Sequence, residues 1–463
     1  MAKKNRKRIE TYNKNLDKEK NKRNDRGVSV TTPSSSLSWS SPSKDKTKND
    51  KSKSKTIENV LILQGGGSLG AFGCGVFKAL AKRNIKIDIV AGTSIGAVNA
   101  AIIAGSKEGD SSEQVLEQFW LELSDGFVDF NNTASFFSYP SFPGLSEQLV
   151  HTLNSYYPYS FFRRRKVQGE ENHHQSESAN EKAKIKQLSS FYSSAIFGND
   201  KMFKPRWKPE YAISDPEYFT PEKWTYLYDH SPLARTLDKY IDYKKLNPDG
   251  KPNARLIITA TNVLTAEALI FDSSKQQITP KHILGASGYP SYNFPWIEVE
   301  KGVYAWDGSL LSNTPLREAI DASPVNDKRI FLVENYPKNI DVLPRNLAEV
   351  HHRARDIIFS DKTEHNVTMS KIITRYLEYI EELYQIVEQY TDHTELGREQ
   401  LKRIRHKYKK YKQERGAEIK QIFHISRDEP FPHIYENADF SPETIKNSIE
   451  EGEAKTNQAI TRM

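Results

Sequence analysis

Apolar residues recur along the chain in two rhythms, and the change between them divides it. From Ile57 to Val333, short and nearly unbroken apolar runs alternate with stretches of helical spacing. Ile57 to Gln64, Ile85 to Ala91, Arg255 to Thr261, Ala268 to Phe271 and Arg329 to Val333 predict strands buried on both faces. Ala71 to Arg83, Ala97 to Ala104 and Leu316 to Ala322 predict the helices between them, and this alternation belongs to an α/β protein. Past residue 336 the rhythm changes. Met369, Ile373, Tyr376, Ile380, Leu383, Val387 and Tyr390 lie alternately four and three apart, and Leu401, Ile404, Tyr408 and Tyr411 resume that spacing after a break near Thr391 to Gly397. Each helix carries one apolar stripe, which predicts an antiparallel hairpin packed on the body or on a second copy of the chain. A last strand, Gln421 to Ile425, and a helix with Ser441 as N-cap and Pro442 at its first position follow.

Charge separates one further segment. Residues 1–55 hold 17 Lys and Arg against 6 Asp and Glu, while the other 408 residues hold 50 against 54. The high isoelectric point therefore belongs to the tail. With almost no large apolar side chains, the tail cannot offset its chain entropy and is expected to be disordered. Nucleic acid, an anionic membrane and an acidic protein are its electrostatic options, and a solubilising extension without a target accounts for it equally well. No apolar core follows the basic start, and no window approaches a membrane span, so a cytoplasmic protein is expected. The single cysteine, Cys74, allows no internal disulfide and no metal spacing.

Two glycine-rich turns carry the chemistry. The first strand runs into Gly65-Gly66-Gly67-Ser68-Leu69-Gly70 and then a helix, which gathers free backbone N–H groups where negative charge is best received. The second strand runs into Gly92-Thr93-Ser94-Ile95-Gly96 and a helix of small residues. A serine on so tight a turn has its hydroxyl held outward, which makes Ser94 a candidate nucleophile. A bare turn is the alternative reading of the pentapeptide alone. Gly65-x-Gly67-x-x-Gly70 also matches the dinucleotide fingerprint, with Asp88 near the place of a ribose-binding carboxylate. Against that, Asp88 begins its strand instead of ending it. Downstream, Asp307-Gly308-Ser309 follows an aromatic strand, so Asp307 is a turn former in isolation and a candidate base beside a serine. The aromatic stretches 127–140 and 191–228 are candidates for a cap or acyl pocket. His173 and His174 fall in a polar insertion at about 163–187 that offers no ligand pattern for a metal.

Taken together, the glycine loop, Gly92-Thr93-Ser94-Ile95-Gly96 and Asp307-Gly308 resemble the patatin-like phospholipase family, from about Val60 to Val333. Asp439-Phe440-Ser441-Pro442-Glu443-Thr444 is similar to the tail of bacterial-type members. The resemblance implies a three-layer α/β/α sandwich with a largely parallel central sheet, carrying here a C-terminal helical hairpin. It implies residues 56–335 as the catalytic domain and 336–463 as a helical extension packed on it. Acyl-ester hydrolysis by a Ser94–Asp307 dyad is implied, with Gly66 and Gly67 as the oxyanion hole and Gly65, Gly70, Gly92, Gly96 and Gly308 as motif glycines. No cofactor, metal or nucleic acid is then expected. The partners are a lipid substrate, a membrane surface met through the basic tail and the basic second hairpin helix, and a second copy through the hairpin. Two residues depart from the pattern: Leu69 replaces a basic residue, and Ser309 stands where glycine or alanine is usual.

Overall fold

The computed structural model describes residues 56–107, 109, 111–126, 190, 193–360, 363–390, 395–428 and 436–461. The expected tail at 1–55, the insertion at 163–187 and the aromatic stretch at 127–140 lie outside the described residues.

Strands β1 (Ile57–Leu63), β2 (Ile89–Thr93), β5 (Arg255–Asn262), β9 (Asp327–Glu334) and β10 (Ile419–Ser426) form the parallel part of one sheet. Its order is β10-β9-β1-β2-β5-β8-β7, with β6 (Ala268–Asp272) also on β5. β7 (Ile297–Glu300), β8 (Val303–Asp307) and β6 run antiparallel to their neighbours, so the sheet is mixed and mostly parallel. A two-residue pair, β3 (Lys204–Pro205) and β4 (Tyr228–Asp229), stands apart.

Helices cover both faces. Leu61 and Leu63 point into a core shared with α1 (Gly70–Lys82), α2 (Ile95–Gly105) and α3 (Ser112–Asp125). Val60 and Ile62, one position away, enter the opposite core with α6 (Leu316–Ala322). This period-two division explains the unbroken apolar runs, since both faces of a central strand are buried. α2 is buried along its whole length, in keeping with a sequence apolar on every side. The first face is completed by α4 (Ser231–Tyr240) and α5 (Pro280–Ser287).

After β9 the chain forms α7 (Leu347–Phe359), the long pair α8 (Thr363–Tyr390) and α9 (Glu395–Arg415), and then returns to the sheet as β10. Phe331 of β9 and Phe423 of β10 stack with centroids 5.0 Å apart. The final helix, α10 (Pro442–Thr461), lies along α1, where a methyl on Gly75 would come within 1.9 Å of the Ile449 carbonyl oxygen. The described residues thus form one compact unit in which the last strand and helix are parts of the sandwich. Ser441 precedes α10 and donates its hydroxyl to Thr444.

The hairpin forms, but of its two stripes the one on α8 does not make its seam. α8 meets α9 through Glu381, Tyr384 and Glu388: Tyr408 and Lys412 donate to Glu381, and the Tyr384 and Tyr408 rings stack at 6.5 Å. Tyr376, Ile380, Leu383 and Val387 stay exposed, because the contact falls one helical position away from them.

Candidate active site

Register brings the site together. Thr93 of β2 pairs with Thr259 of β5, and one step on, Ala260 pairs with Asp307 of β8. Ser94, the residue after Thr93, therefore stands level with Asp307 across a single intervening strand. A hydrogen bond of 2.7 Å between the Thr93 and Thr259 hydroxyls fixes that level. Ser94 has φ 56° and ψ −128°, a strained conformation for a residue with a side chain, at the junction of β2 and α2. So sharp a turn needs bare backbone beside it: a methyl on Gly96 would lie 2.2 Å from the Leu63 carbonyl oxygen, and one on Gly92 2.1 Å from the Gly96 carbonyl oxygen.

The Asp307 carboxyl is fully buried. Its Oδ1 accepts the Ser309 backbone N–H at 2.8 Å, while Oδ2 has no hydrogen-bond partner. Burial raises its pKa to about 6, against the lowering effect of the Ser94 hydroxyl beside it and of the Ser309 donors. Ser94 is close enough to act on the carboxyl, yet no hydrogen bond of regular geometry closes between the two. Unliganded sites commonly show such a loose contact.

The glycine loop supplies donors through the way its carbonyls are held. The Asn335 amide donates to the carbonyl oxygens of Gln64 and Gly65 at 3.2 and 3.1 Å, and Leu69 N–H donates to that of Gly66. In a planar trans peptide the N–H points opposite to its carbonyl, so fixing the carbonyls of Gly65 and Gly66 aims the N–H groups of Gly66 and Gly67 the other way. Neither N–H has an acceptor among the described residues, and both glycines line the same cavity as Ser94 and Asp307. Gly67 adopts φ 59°, the left-handed region. By contrast, the Gly65 N–H is taken by Asn313 Oδ1 at 3.0 Å, so Gly65 is structural in this turn. Gly70 opens α1 against Ile95, and Gly308 lies against the Thr259 carbonyl.

Ser309 fits: its hydroxyl donates to Asn313 Oδ1, the atom that also receives Gly65 N–H. Leu69 is buried against Tyr336 and Phe359, so apolar packing anchors the loop where a basic residue is usual.

The cavity measures about 280 Å³, and its apolar lining is chiefly aromatic. Phe203 forms its wall, in edge contact with Tyr228, Phe294 and Phe440 at 5.5, 5.6 and 6.4 Å. The expected aromatic cap is therefore present in part. Met202, Phe203 and Tyr228 line the cavity, Trp207 packs on Tyr228 from outside the lining, and Trp224 is engaged by Arg206.

Sequence reasoning missed Asn313, Asn335 and the segment Glu436–Ala438. The last closes onto the loop: Ser68 donates to the Glu436 carbonyl oxygen at 2.8 Å, and the Asn437 carbonyl abuts Gly67. The Glu436 carboxylate is held by Arg355 at 2.8 Å and Arg427 at 3.0 Å, and Arg355 also bonds Asp356. His352, Asp356 and Glu436 are clustered closely enough for a metal, but two guanidiniums already neutralise the carboxylates, so the donor set does not suit a further cation. No sequence signal marked these residues, because their partners lie up to 368 positions away.

The dinucleotide reading fails on topology. Asp88 precedes β2, at the opposite end of the sheet from the glycine loop that follows β1, and its carboxylate accepts Asn59 N–H at 2.9 Å.

A family model described as patatin-like phospholipase matches residues 61–320, more than half of the chain. The chain belongs to the patatin-like phospholipase family. Its activity class is thus lipid hydrolysis in general. Among solved structures, the chain is similar to VipD from Legionella pneumophila, at 13% identity and TM-score 0.34, over 88% of this chain and 67% of that one. It is also similar to the type III effector ExoU, at 11% identity and TM-score 0.28, over 88% of this chain and 54% of that one. In a complex of ExoU with SpcU from Pseudomonas aeruginosa the match has 19% identity and TM-score 0.22, over 65% of this chain and 47% of that one. The chain thus spans about half the length of ExoU. No curated protein matches it. Among the described residues, no helix is long and apolar enough to cross a membrane.

Proposed function

We propose that this patatin-like protein is a serine acylhydrolase that cleaves acyl esters of lipids, phospholipids in the manner of a phospholipase A or lysophospholipase, through Ser94 and Asp307. One observation carries the reading: a strained serine, a buried carboxyl with a free oxygen and two unengaged N–H groups all border one apolar cavity.

Asp307, as carboxylate, takes the Ser94 hydroxyl proton while Oγ bonds to the ester carbonyl carbon. The carbonyl electrons move onto oxygen, and the Gly66 and Gly67 N–H groups receive that charge, each donor lowering the barrier by about 3 kcal/mol. Asp307 then returns the proton to the departing alcohol as the C–O bond breaks, leaving acyl-Ser94. Water repeats the sequence: Asp307 accepts its proton, hydroxide oxygen bonds to the acyl carbon, and the fatty acid leaves as Ser94 regains its proton.

The aromatic wall supports an acyl chain as the group accommodated. A lipid-binding protein with an inert site is the competing reading. Ser94→Ala and Asp307→Asn are each expected to lower hydrolysis of a phospholipid panel by at least about 10³-fold with the fold retained. A fluorophosphonate should label the wild type and not Ser94→Ala; near-normal turnover in either folded variant rejects the dyad, and absence of both labelling and turnover in the wild type favours the inert site.

A further inference from the structure

The geometry points to α7 and the turn before it as a lipid-docking face, inserted into the surface of the aggregate from which the cavity draws its substrate. The inference rests on the lipid-cleaving reading for what enters the cavity, and on the polarity of the helix itself for the surface.

α7 is amphipathic with its faces reversed. His352, Arg355 and Asp356 are turned inward, 2%, 8% and 0% exposed, and the Arg355–Glu436 ion pair locks that side against the segment that closes on the glycine loop. Leu347, Val350, Ile357 and Ile358 are 47–68% exposed, and at helical spacing they share one arc of about 100° on the other side. Because buried polar bonds hold the inner side, the helix cannot roll to hide its apolar one. Arg353 donates to the carbonyl oxygens of Pro337 and Lys338, and Arg345 N–H donates to Glu349, so the preceding turn is tied to α7 at both ends. Between those ties, Ile340, Val342 and Leu343 are 41%, 64% and 83% exposed. Scattered apolar residues are ordinary on a surface, whereas a group of this kind marks a contact.

Position selects the occupant. Phe359, the last residue of α7, lines the cavity and packs on Tyr289 and Tyr336, which also line it, at 5.5 and 5.2 Å. Ile357 and Ile358 therefore carry the apolar wall of the cavity onto the outer surface. Asn313 donates to the Phe359 carbonyl oxygen at 3.0 Å, which brings alongside the turn after Asp307, where Leu310 and Leu311 are exposed as well. An aggregating lipid is scarce as a free molecule, since water disfavours each of its methylenes, so a protein that cleaves it must meet the aggregate itself. An apolar rim lets the acyl chain pass into the aromatic cavity without entering water. These exposed side chains are all aliphatic, whereas contacts between proteins centre on Trp, Tyr and Arg. Charge contributes little: residues 337–359 hold 4 Lys and Arg against 3 Asp and Glu, so insertion should need no anionic headgroup.

The test is flotation of the full chain with phosphatidylcholine vesicles, carried out on Ser94→Ala so that the vesicles stay intact. It is repeated with Leu343→Glu and Ile358→Glu added together, each protein being checked by circular dichroism. Ser94→Ala is expected to float equally in about 0.1 and about 1 M sodium chloride, since no ion pair is involved. The added pair should lower partitioning at least about 100-fold, roughly 10-fold for each side chain that no longer leaves water. With Ser94 restored, the pair should lower turnover of vesicle phospholipid by a similar factor and leave kcat/KM for soluble p-nitrophenyl butyrate within about 2-fold. Should the pair disturb the fold, Val342→Ser with Ile357→Ser replaces it, with a loss of about 10-fold expected. A protein that does not float, that floats only with phosphatidylglycerol and is released by salt, or that floats undiminished as the folded variant overturns the inference. A dimer in sedimentation equilibrium that the pair dissociates, without flotation, also overturns it and assigns the face to a second copy. Flotation without any turnover by the wild type overturns the dyad and leaves the docking face standing, whereas normal turnover of the soluble ester without flotation does the reverse.

Discussion

At the scale of single residues, the site depends on a carboxyl that the fold stabilises poorly in its charged form. In the proposed dyad Asp307 must be ionised to accept a proton, and burial holds its pKa at about 6. The rate should therefore rise with pH to a plateau, with an acid limb near pH 6 in kcat/KM, and Asp307→Glu should shift that limb. The stability sign is opposite. A carboxyl whose folded pKa lies above the unfolded value stabilises the fold while protonated, and that contribution is lost as pH rises through about 4 to 6. Asp307→Asn, which is never charged, should accordingly be the more stable protein at pH 8, by about 2–3 kcal/mol in urea titrations, and should lose that advantage near pH 4. Asn335 acts one step further out, since it holds the carbonyls of Gln64 and Gly65, the second of which orients the Gly66 N–H. Asn335→Ala should cut kcat by about 10- to 100-fold with little change in KM, because it disturbs donors that engage only the developing charge. Ser94, Asp307 and the glycines were legible in the sequence because their local turns demand those residue types. Asn335 was not, since an asparagine after a strand has many uses and only the folded loop shows which one it serves.

At the scale of elements, the strands and short helices were legible because their apolar rhythm follows directly from what they bury. Boundaries moved by a few residues, as at β2, read as 85–91 and found at Ile89–Thr93. Ile85 and Ile87 are apolar for their packing on the core that α1 shares and not for a place in the sheet. The hairpin was legible as two helices, but the α8 stripe proved to be surface, while Tyr408 of the α9 stripe lies in the seam. The closeness of α1 and α10 had no signature in periodicity. There the backbones approach so tightly that Gly75→Ala must push Ile449 away. A loss of about 1–3 kcal/mol or more is expected in chemical denaturation, with the neighbouring exposed Lys82→Ala costing far less.

For the molecule as a whole, the end of the sheet that carries Ser94 and Asp307 is completed by residues that come late in the chain. β10 sits on β9 although 84 residues separate the end of one from the start of the other, and Glu436–Ala438 closes on a loop near residue 67. Such long-range closure is what sequence patterns convey least, because nothing local encodes which distant partner completes an edge. The ion pairs of Glu436 with Arg355 and Arg427 fasten that closure, and Glu436→Ala would remove the carboxylate that the two buried guanidiniums share. A loss of about 3–5 kcal/mol is expected, with reduced labelling of Ser94 by fluorophosphonate well below the melting temperature.

The late arrival of that segment has a consequence for biosynthesis. Translation delivers Ser94 hundreds of codons before Glu436, so a nascent polypeptide carries its would-be nucleophile for most of its elongation without the wall that finishes the cavity. Ribosomes stalled at codon 415 should display a chain inert to a fluorophosphonate, and the same serine should become reactive only after release of the full-length product. On the proposed chemistry, the gene order of the segments would delay lipid cleavage until manufacture is nearly over.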